Sequence, residues 1–292
     1  MSARRKPGRV PGLRLLPKGE WITIYPGPMA AAPAFDSTLR NFRRESANRM
    51  RNIVLVIWKR LPEKLKKYSR ETRDTLFKLT AALYRLLRGH NTFILDGSVY
   101  YYFIHWYNMT WRNERAVEIP IAWKMVNNNN QAKILEIGNV LSHYYPVNHD
   151  VVDKYEKGPG VINEDVVDFR PGNKYDLIIS ISTLEHVGWD ELPKDSEKIV
   201  RAIDNLLKLL SPEGVMLITL PVGENLELDL LVREGAISFT EQYAMRRASW
   251  RNEWVEEDLE GIFNVRQAKP PYRHTNGLLV GIIRAGAGLV SG

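Results

Sequence analysis

Apolar and polar positions change their period twice along this chain of 292 residues. Over 63–88, Leu65, Tyr68, Thr72, Leu76, Leu79, Leu83 and Leu86 recur at steps of three and four, with Lys and Arg between them. That spacing predicts an amphipathic helix, and Gly89 is a suitable stop. Residues 37–60 predict an earlier helix starting at Ser37 or Thr38, interrupted by Pro62. The period then shortens. Thr92–Leu95 and Ser98–Ile104 are rich in β-branched and aromatic residues, and Asp96-Gly97 between them predicts a hairpin. Residues 113–126 return to a helical pattern despite Pro120, and the polar run Asn127–Asn130 marks a domain boundary.

From residue 132 short apolar runs alternate with helical stretches. Ile134–Ile137, Asp150–Val152, Gly160–Ile162, Tyr175–Ser182 and Val215–Leu220 read as strands, with later ones near 245–254 and 278–283. The run at 175–182 is almost wholly apolar, as a strand buried on both faces should be. Residues 195–210 predict a helix with Ile199, Ile203, Leu206, Leu207 and Leu210 on one face and Asp195 or Ser196 as its cap. This order implies βαβ units and a mostly parallel, doubly wound α/β sheet. Four segments follow: a disordered basic tail at 1–36, a helical and β-hairpin extension or cap at 37–128, the α/β domain at 129–285, and a flexible C-terminus at 286–292.

Composition narrows the chemistry. With no cysteine, disulfides, Cys-ligated zinc, iron–sulfur clusters and a Cys nucleophile are excluded. No metal site is expected. No apolar stretch follows the N-terminal Arg4-Arg5-Lys6, and the run Ile53–Trp58 is far too short to span a bilayer. A soluble, cytoplasmic protein is the expectation. The net charge of +7 is unevenly placed: residues 1–90 hold 21 Lys+Arg against 6 Asp+Glu, and the remainder 20 against 28. The basic helices at 37–88 suit peripheral contact with an anionic membrane, or a solvated face. Nucleic-acid binding by such charge is the less favoured alternative.

In open α/β sheets ligands bind beyond the carboxyl ends of strands. The strand ends here read Glu136-Ile137-Gly138-Asn139, then Asp153, then Asn163-Glu164-Asp165, then Ser182-Thr183-Leu184-Glu185-His186-Val187. Asp153 follows Glu136 by 17 residues, close to the spacing of a ribose-binding acid. The succession ILEIG, VVDKYE, INEDVVDF, YDLIISISTLEHV and LSPEGVMLITLP, over about 132–222, resembles the class I S-adenosylmethionine (SAM) dependent methyltransferases. The resemblance implies a Rossmann-like, seven-stranded sheet with an antiparallel last strand. It implies SAM as cofactor, with Glu136, Gly138 and Asn139 near its methionine part, Asp153 at the ribose, Asp165 at the adenine amine, and Ser182 and Thr183 lining the pocket. Glu185 would face the acceptor, and His186 is the candidate general base.

The resemblance is incomplete. Only the first glycine of the family's cofactor loop is kept, and Val140 and Ser142 replace the next two. Losing the second glycine argues against a dinucleotide, which needs it for close approach of its pyrophosphate. Each site residue also has a plainer reading: Glu136 and Gly138 as a strand end and turn, Asp153 as a solvated acid, Glu164 or Asp168 in place of Asp165, His186 as a helix-start packing residue. His143 and Tyr144 touch ligand or belong to a first helix packing its aromatics on the sheet. Trp111 and Arg112, in an aromatic-rich stretch at 100–112, bind acceptor or serve core packing and salt bridges, as does Arg115 with Glu114 or Glu118. Three functions follow: methyl transfer to O or N of a small-molecule, glycan or lipid-linked acceptor; a methyltransferase-like binding or scaffold module without activity; and nucleic-acid methylation using the basic N-terminus.

Overall fold

The computed structural model describes residues 13–15, 21–23, 63–264 and 275–286. The chain divides into two compact units, Met1–Ser69 and Arg70–Gly292. In the first, β1 (Leu13–Leu15) pairs antiparallel with β2 (Trp21–Thr23), where the sequence predicts only a tail. The helix expected over 37–60 and the C-terminus beyond 286 lie outside the described residues.

Helix α1 (Glu63–Arg88) runs as the 3.6-residue period predicts, and the Gly89 amide closes it on the Arg85 carbonyl at 2.8 Å. A Cβ at Gly89 would sit 2.4 Å from that oxygen, so the stop requires glycine. The hairpin forms from β3 (Thr92–Leu95) and β4 (Ser98–Tyr101), with Asp96 and Gly97 both at positive φ. Helix α2 (Arg115–Asn128) tolerates Pro120 because the carbonyl it orphans, that of Ala116, accepts the Phe103 amide at 2.9 Å. From Arg70 on, the expected cap belongs to the same compact unit as the sheet.

The sheet has eight strands: β5 (Ile134–Ile137), β6 (Asp150–Val152), β7 (Val161–Ile162), β8 (Tyr175–Ile181), β9 (Leu210–Pro221), β10 (Glu241–Arg247), β11 (Trp254–Glu257) and β12 (Gly277–Arg284). Their spatial order is β11-β10-β12-β9-β8-β5-β6-β7. Strands β5 to β9 are parallel, and β12 inserts antiparallel between β9 and β10. This is the doubly wound sheet with an antiparallel last strand that was expected, widened at one edge by β11. The single strand expected near 245–254 is in fact parts of two strands joined by a turn.

Each sheet face carries its own core. On one side Leu135, Ile137 and Ile178 meet α3 (Lys198–Leu209), α4 (Leu226–Arg233) and α5 (Leu259–Phe263). On the other, Ile134, Leu177, Ile179 and Ile181 meet α2 and the hairpin's Phe93 and Leu95. Helix α3 presents Ile199, Ile203 and Leu206, all buried, each stabilising by about 1.5–3 kcal/mol. Neither Asp195 nor Ser196 caps it: the residue before it is Glu197, without a side-chain cap, and Asp195 instead binds Arg201. No α-helix intervenes between β5 and β6, β6 and β7, or β7 and β8. The first helix considered for His143 to Tyr145 is a single 3-10 turn, Leu141–His143.

Candidate functional site

The carboxyl ends of β5, β6, β7 and β8 converge on a cavity of about 400 Å³, within the roughly 300–1,000 Å³ usual for ligand sites. Ile137, Val152, Val166 and Val187 give it apolar walls, and Gly138, Asp153, Asp165, Thr183 and His186 give it polar ones. Five of the residues singled out in the sequence therefore meet at one cavity.

Gly138 is the narrow point. It sits at φ +83, and a Cβ there would lie 2.2 Å from the Thr183 hydroxyl oxygen. Its amide donates to the Val152 carbonyl at 2.8 Å, tying the β5 loop to β6. The loop then bends without further glycine. Glu136, fully buried, points away from the cavity, and its Oε1 accepts the Val140 and Leu141 amides at 2.9 and 2.7 Å. Its Oε2 pairs with His149 Nε2 at 2.8 Å. Val140 takes an ordinary φ of −104 and packs into the core behind.

Asp153 organises the next turn. Its Oδ1 accepts the Tyr155 and Glu156 amides at 2.8 and 2.7 Å, and its Oδ2 accepts the Asn139 amide at 3.1 Å. A carboxylate has about four acceptor positions, so one remains for a ligand hydroxyl. Asn139 turns its side chain to Glu156, donating at 2.6 Å. Asp165 is tied to Lys154 at 2.8 Å and Lys198 at 2.7 Å, and the same lysines reach Glu191 at 3.1 and 2.6 Å. Burial acts to raise the Asp165 carboxyl, but the two lysines together outweigh it and hold it below the usual range. The Lys198 hydrogen bond likewise holds Glu191 down. Neither Lys154, Lys198 nor Glu191 was singled out in the sequence, though Lys154 directly follows Asp153.

Other candidates stand back from the cavity. His143 stacks on Tyr107 with ring centroids 4.5 Å apart, and its Nε2 lies 3.0 Å from Glu156, which lines the cavity. Tyr144 packs edge-on to Phe103 and His105. Trp111 is buried against Tyr84, and with Arg112 lines a separate groove formed with Leu76, Phe77 and Trp250. His186 is half exposed at the cavity lip, with Nδ1 2.8 Å from Asp190 Oδ2.

Behind the lip lies a second polar group, built from the acceptor-facing candidate Glu185 and from Arg115 with the two salt-bridge partners considered for it, Glu114 and Glu118. Glu118 is fully buried. Its Oε2 pairs with Arg115 at 3.0 Å, and its Oε1 accepts the Thr219 hydroxyl at 2.7 Å and that of Ser182. Arg115 also donates to the Ile181 carbonyl at 3.0 Å. Glu185, 2% exposed, and Glu114 each keep a carboxylate oxygen, Oε2, that is out of solvent and accepts no hydrogen bond among the described residues. Burial first, then the charge of Glu118, pushes Glu114 up to about 7. Burial also drives Glu185 well above the usual carboxylate range.

The described arrangement, β7-β6-β5-β8-β9-β12-β10 with β12 antiparallel, decides the architecture. The fold is that of the Rossmann-like, class I methyltransferases. No family model matches the chain, and no curated protein matches it. Among solved structures it is similar to the N-methyltransferase NodS of Bradyrhizobium japonicum in complex with S-adenosyl-L-homocysteine (14% identity, 60% of this chain and 93% of that one, TM-score 0.36). It is also similar to a 1,6-didemethyltoxoflavin N1-methyltransferase of Burkholderia thailandensis (14% identity, 58% and 78%, TM-score 0.35). A third is a SAM-dependent methyltransferase of Clostridium acetobutylicum (11% identity, 56% and 89%, TM-score 0.31). At these values the likenesses carry no argument about what this chain acts on.

Proposed function

We propose that the chain is a SAM-dependent methyltransferase whose cofactor occupies the cavity between Gly138, Asp153, Asp165 and Thr183. The observation that carries this is the convergence of four separate strand ends on one cavity, with a left-handed glycine at its narrow point. The donor set fits the cofactor. Asp153 has one acceptor position open for a ribose hydroxyl, and Val152, Val166 and Val187 offer apolar surface to a flat base. Asp165 keeps a negative, lysine-tied carboxylate at that end for an exocyclic amine. Glu136, buried behind the loop, orients the amides of Val140 and Leu141 rather than touching ligand.

SAM supplies an electrophilic methyl on a sulfonium. The protein's part is to hold it, exclude water and bring an acceptor into line, since proximity and alignment alone give much of the acceleration. His186, backed by Asp190, is the proposed base at the lip. The acceptor is a small, glycan or lipid-linked molecule carrying a nucleophilic O or N.

Calorimetric titration with S-adenosylhomocysteine tests the reading. Saturable heat is expected below about 1 mM, abolished in Gly138→Val, whose side chain would enter the space held by Thr183. A folded wild-type protein giving no heat at that concentration would leave the non-enzymatic scaffold reading in its place.

A further inference from the structure

Resting on the methyltransferase reading, we infer that the acceptor is an amine, bound as its ammonium ion by Glu185 and Glu114 behind the cavity lip. Both residues carry a buried carboxylate oxygen with no hydrogen-bond partner among the described residues. Such atoms are costly: an unsatisfied buried acceptor destabilises by about 1–3 kcal/mol, and more when charged. Natural proteins keep few of them, and each needs a cause. Glu185 is 2% exposed, and it adjoins Thr183 and His186, which both line the cofactor cavity. Glu185 thus belongs to the turn that carries two lining residues of the cavity, and the charge of Glu114 acts on it.

The local charge selects the ligand. Glu114, Glu118 and Glu185 act on one another electrostatically, and Glu224 adds to the field at Glu114. Against these acids stand Arg115, already committed to Glu118 and the Ile181 carbonyl, and the His186 ring, 3.6 Å from Glu185 Oε1 and held at its other nitrogen by Asp190. An anionic acceptor would meet repulsion, and an alcohol could offer a single O–H. An ammonium group offers three N–H donors, enough to satisfy both free oxygens. It also supplies the positive charge that makes burying these carboxylates favourable.

For an ammonium acceptor these residues, in place of the His186 base proposed above, take the proton that must leave. The acceptor enters as R–NH3+ and gives one proton to a carboxylate of Glu185 or Glu114. The freed nitrogen lone pair then bonds to the methyl carbon as the carbon–sulfur bond breaks, its electron pair remaining on sulfur. The product is R–NH2–CH3+, the sulfonium becomes a neutral thioether, and the carboxyl proton passes to solvent. Atoms and charge balance as one ammonium and one sulfonium giving one methylammonium, one thioether and one proton.

The test uses the full chain saturated with S-adenosylhomocysteine and three matched pairs of probes: methylamine and methanol, benzylamine and benzyl alcohol, glucosamine and glucose. Binding is read by calorimetry and by ligand-observed NMR. At least one amine should bind ten-fold or more tightly than its hydroxyl partner. Glu185→Gln and Glu114→Gln, which keep the shape and remove the charge, should each abolish that preference while S-adenosylhomocysteine affinity stays within two-fold. Circular dichroism confirms folding, and if one variant fails to fold the other decides. Amines binding no better than alcohols, or a preference that survives both substitutions, overturns the inference while leaving the cofactor reading intact. Absence of S-adenosylhomocysteine binding would instead remove the cofactor reading, and the amine preference is then still read on the unsaturated protein.

Discussion

Two sets of carboxylates lie at the same edge of one sheet and are kept in opposite states. The outer set, Asp165 and Glu191, is closed into a square with Lys154 and Lys198, and those cations hold both acids ionised. The inner set, Glu114 and Glu185, has Arg115 nearby, itself claimed by Glu118, and the His186 ring 3.6 Å from Glu185, and burial favours the protonated form. Partners separate them: two lysines hold the outer set, and among the described residues no lysine reaches the inner one. The outer set already has its cations at the rim of the cofactor cavity, whereas the inner set lacks a cation that a ligand can bring.

The difference between the sets depends most on Glu118, the buried acid that keeps Arg115 from the inner set. Glu118→Ala leaves a buried guanidinium uncompensated and should cost about 3–5 kcal/mol in denaturant unfolding. A loss under about 1 kcal/mol would mean that Arg115 re-pairs with Glu114 or Glu185, and the inner set would then not lack a cation.

The two sets also predict opposite pH dependence. A carboxyl raised on folding adds stability below its unfolded pKa and loses it as pH rises through the folded value. For Glu114, moving from 4.5 to about 7, stability should therefore fall by about 3 kcal/mol between those pH values. Glu114→Gln should flatten that limb. Asp165 and Glu191, lowered on folding, act in the other direction: their contribution is present above the ordinary carboxylate range and is lost as pH falls below it. A stability profile that rises from pH 4.5 to about 7 in both proteins would contradict the assignment of the inner set.

Opening the outer square should cost less. Lys198→Met removes one of two cations and leaves Lys154, so about 1.5–3 kcal/mol is expected from the lost charged hydrogen bonds. Unfolding should then also become less sensitive to acid. The smallest effect belongs to Asn225, which caps α4 through the Glu227 and Leu228 amides, both at 3.1 Å, and also donates to the Glu185 carbonyl at 2.8 Å. Asn225→Ala should cost about 1 kcal/mol. It should also loosen the Glu185 segment, seen as faster amide exchange there, and unchanged exchange would mean that the cap alone matters.

The outer half of this site was legible in the sequence because strand ends are legible. Apolar runs mark where β5, β6 and β8 stop, and a parallel sheet brings such ends together, so the segments holding Gly138, Asp153, Asp165 and Thr183 could be named from the pattern of residues, and the family resemblance singled out Asp165 and Thr183 within them. The lysines could not. Lys198 lies 33 residues after Asp165, at the start of a helix whose apolar face was readable but whose first turn was not. The missing crossover helices escaped for a related reason. His143 to Tyr145 are aromatic enough to pack on a sheet as a helix would, yet Trp123 on α2 stacks on Tyr145 with centroids 3.8 Å apart and fills that layer instead. Of the inner set, Glu185 was named at its strand end, and Glu114 and Glu118 as salt-bridge partners of Arg115; that Glu118 takes Arg115 and leaves Glu114 without it is seen only once α2 is buried against β8 and β9.

Where the cofactor sits relative to these two sets is decisive, and a crystal structure with S-adenosylhomocysteine shows it directly. Ribose density at Asp153, a base among Val152, Val166 and Val187, and the homocysteine end reaching past Gly138 toward Thr183 is the predicted result. Ligand density in the groove of Trp111 and Arg112, or in the cavity but away from Asp153, would contradict it.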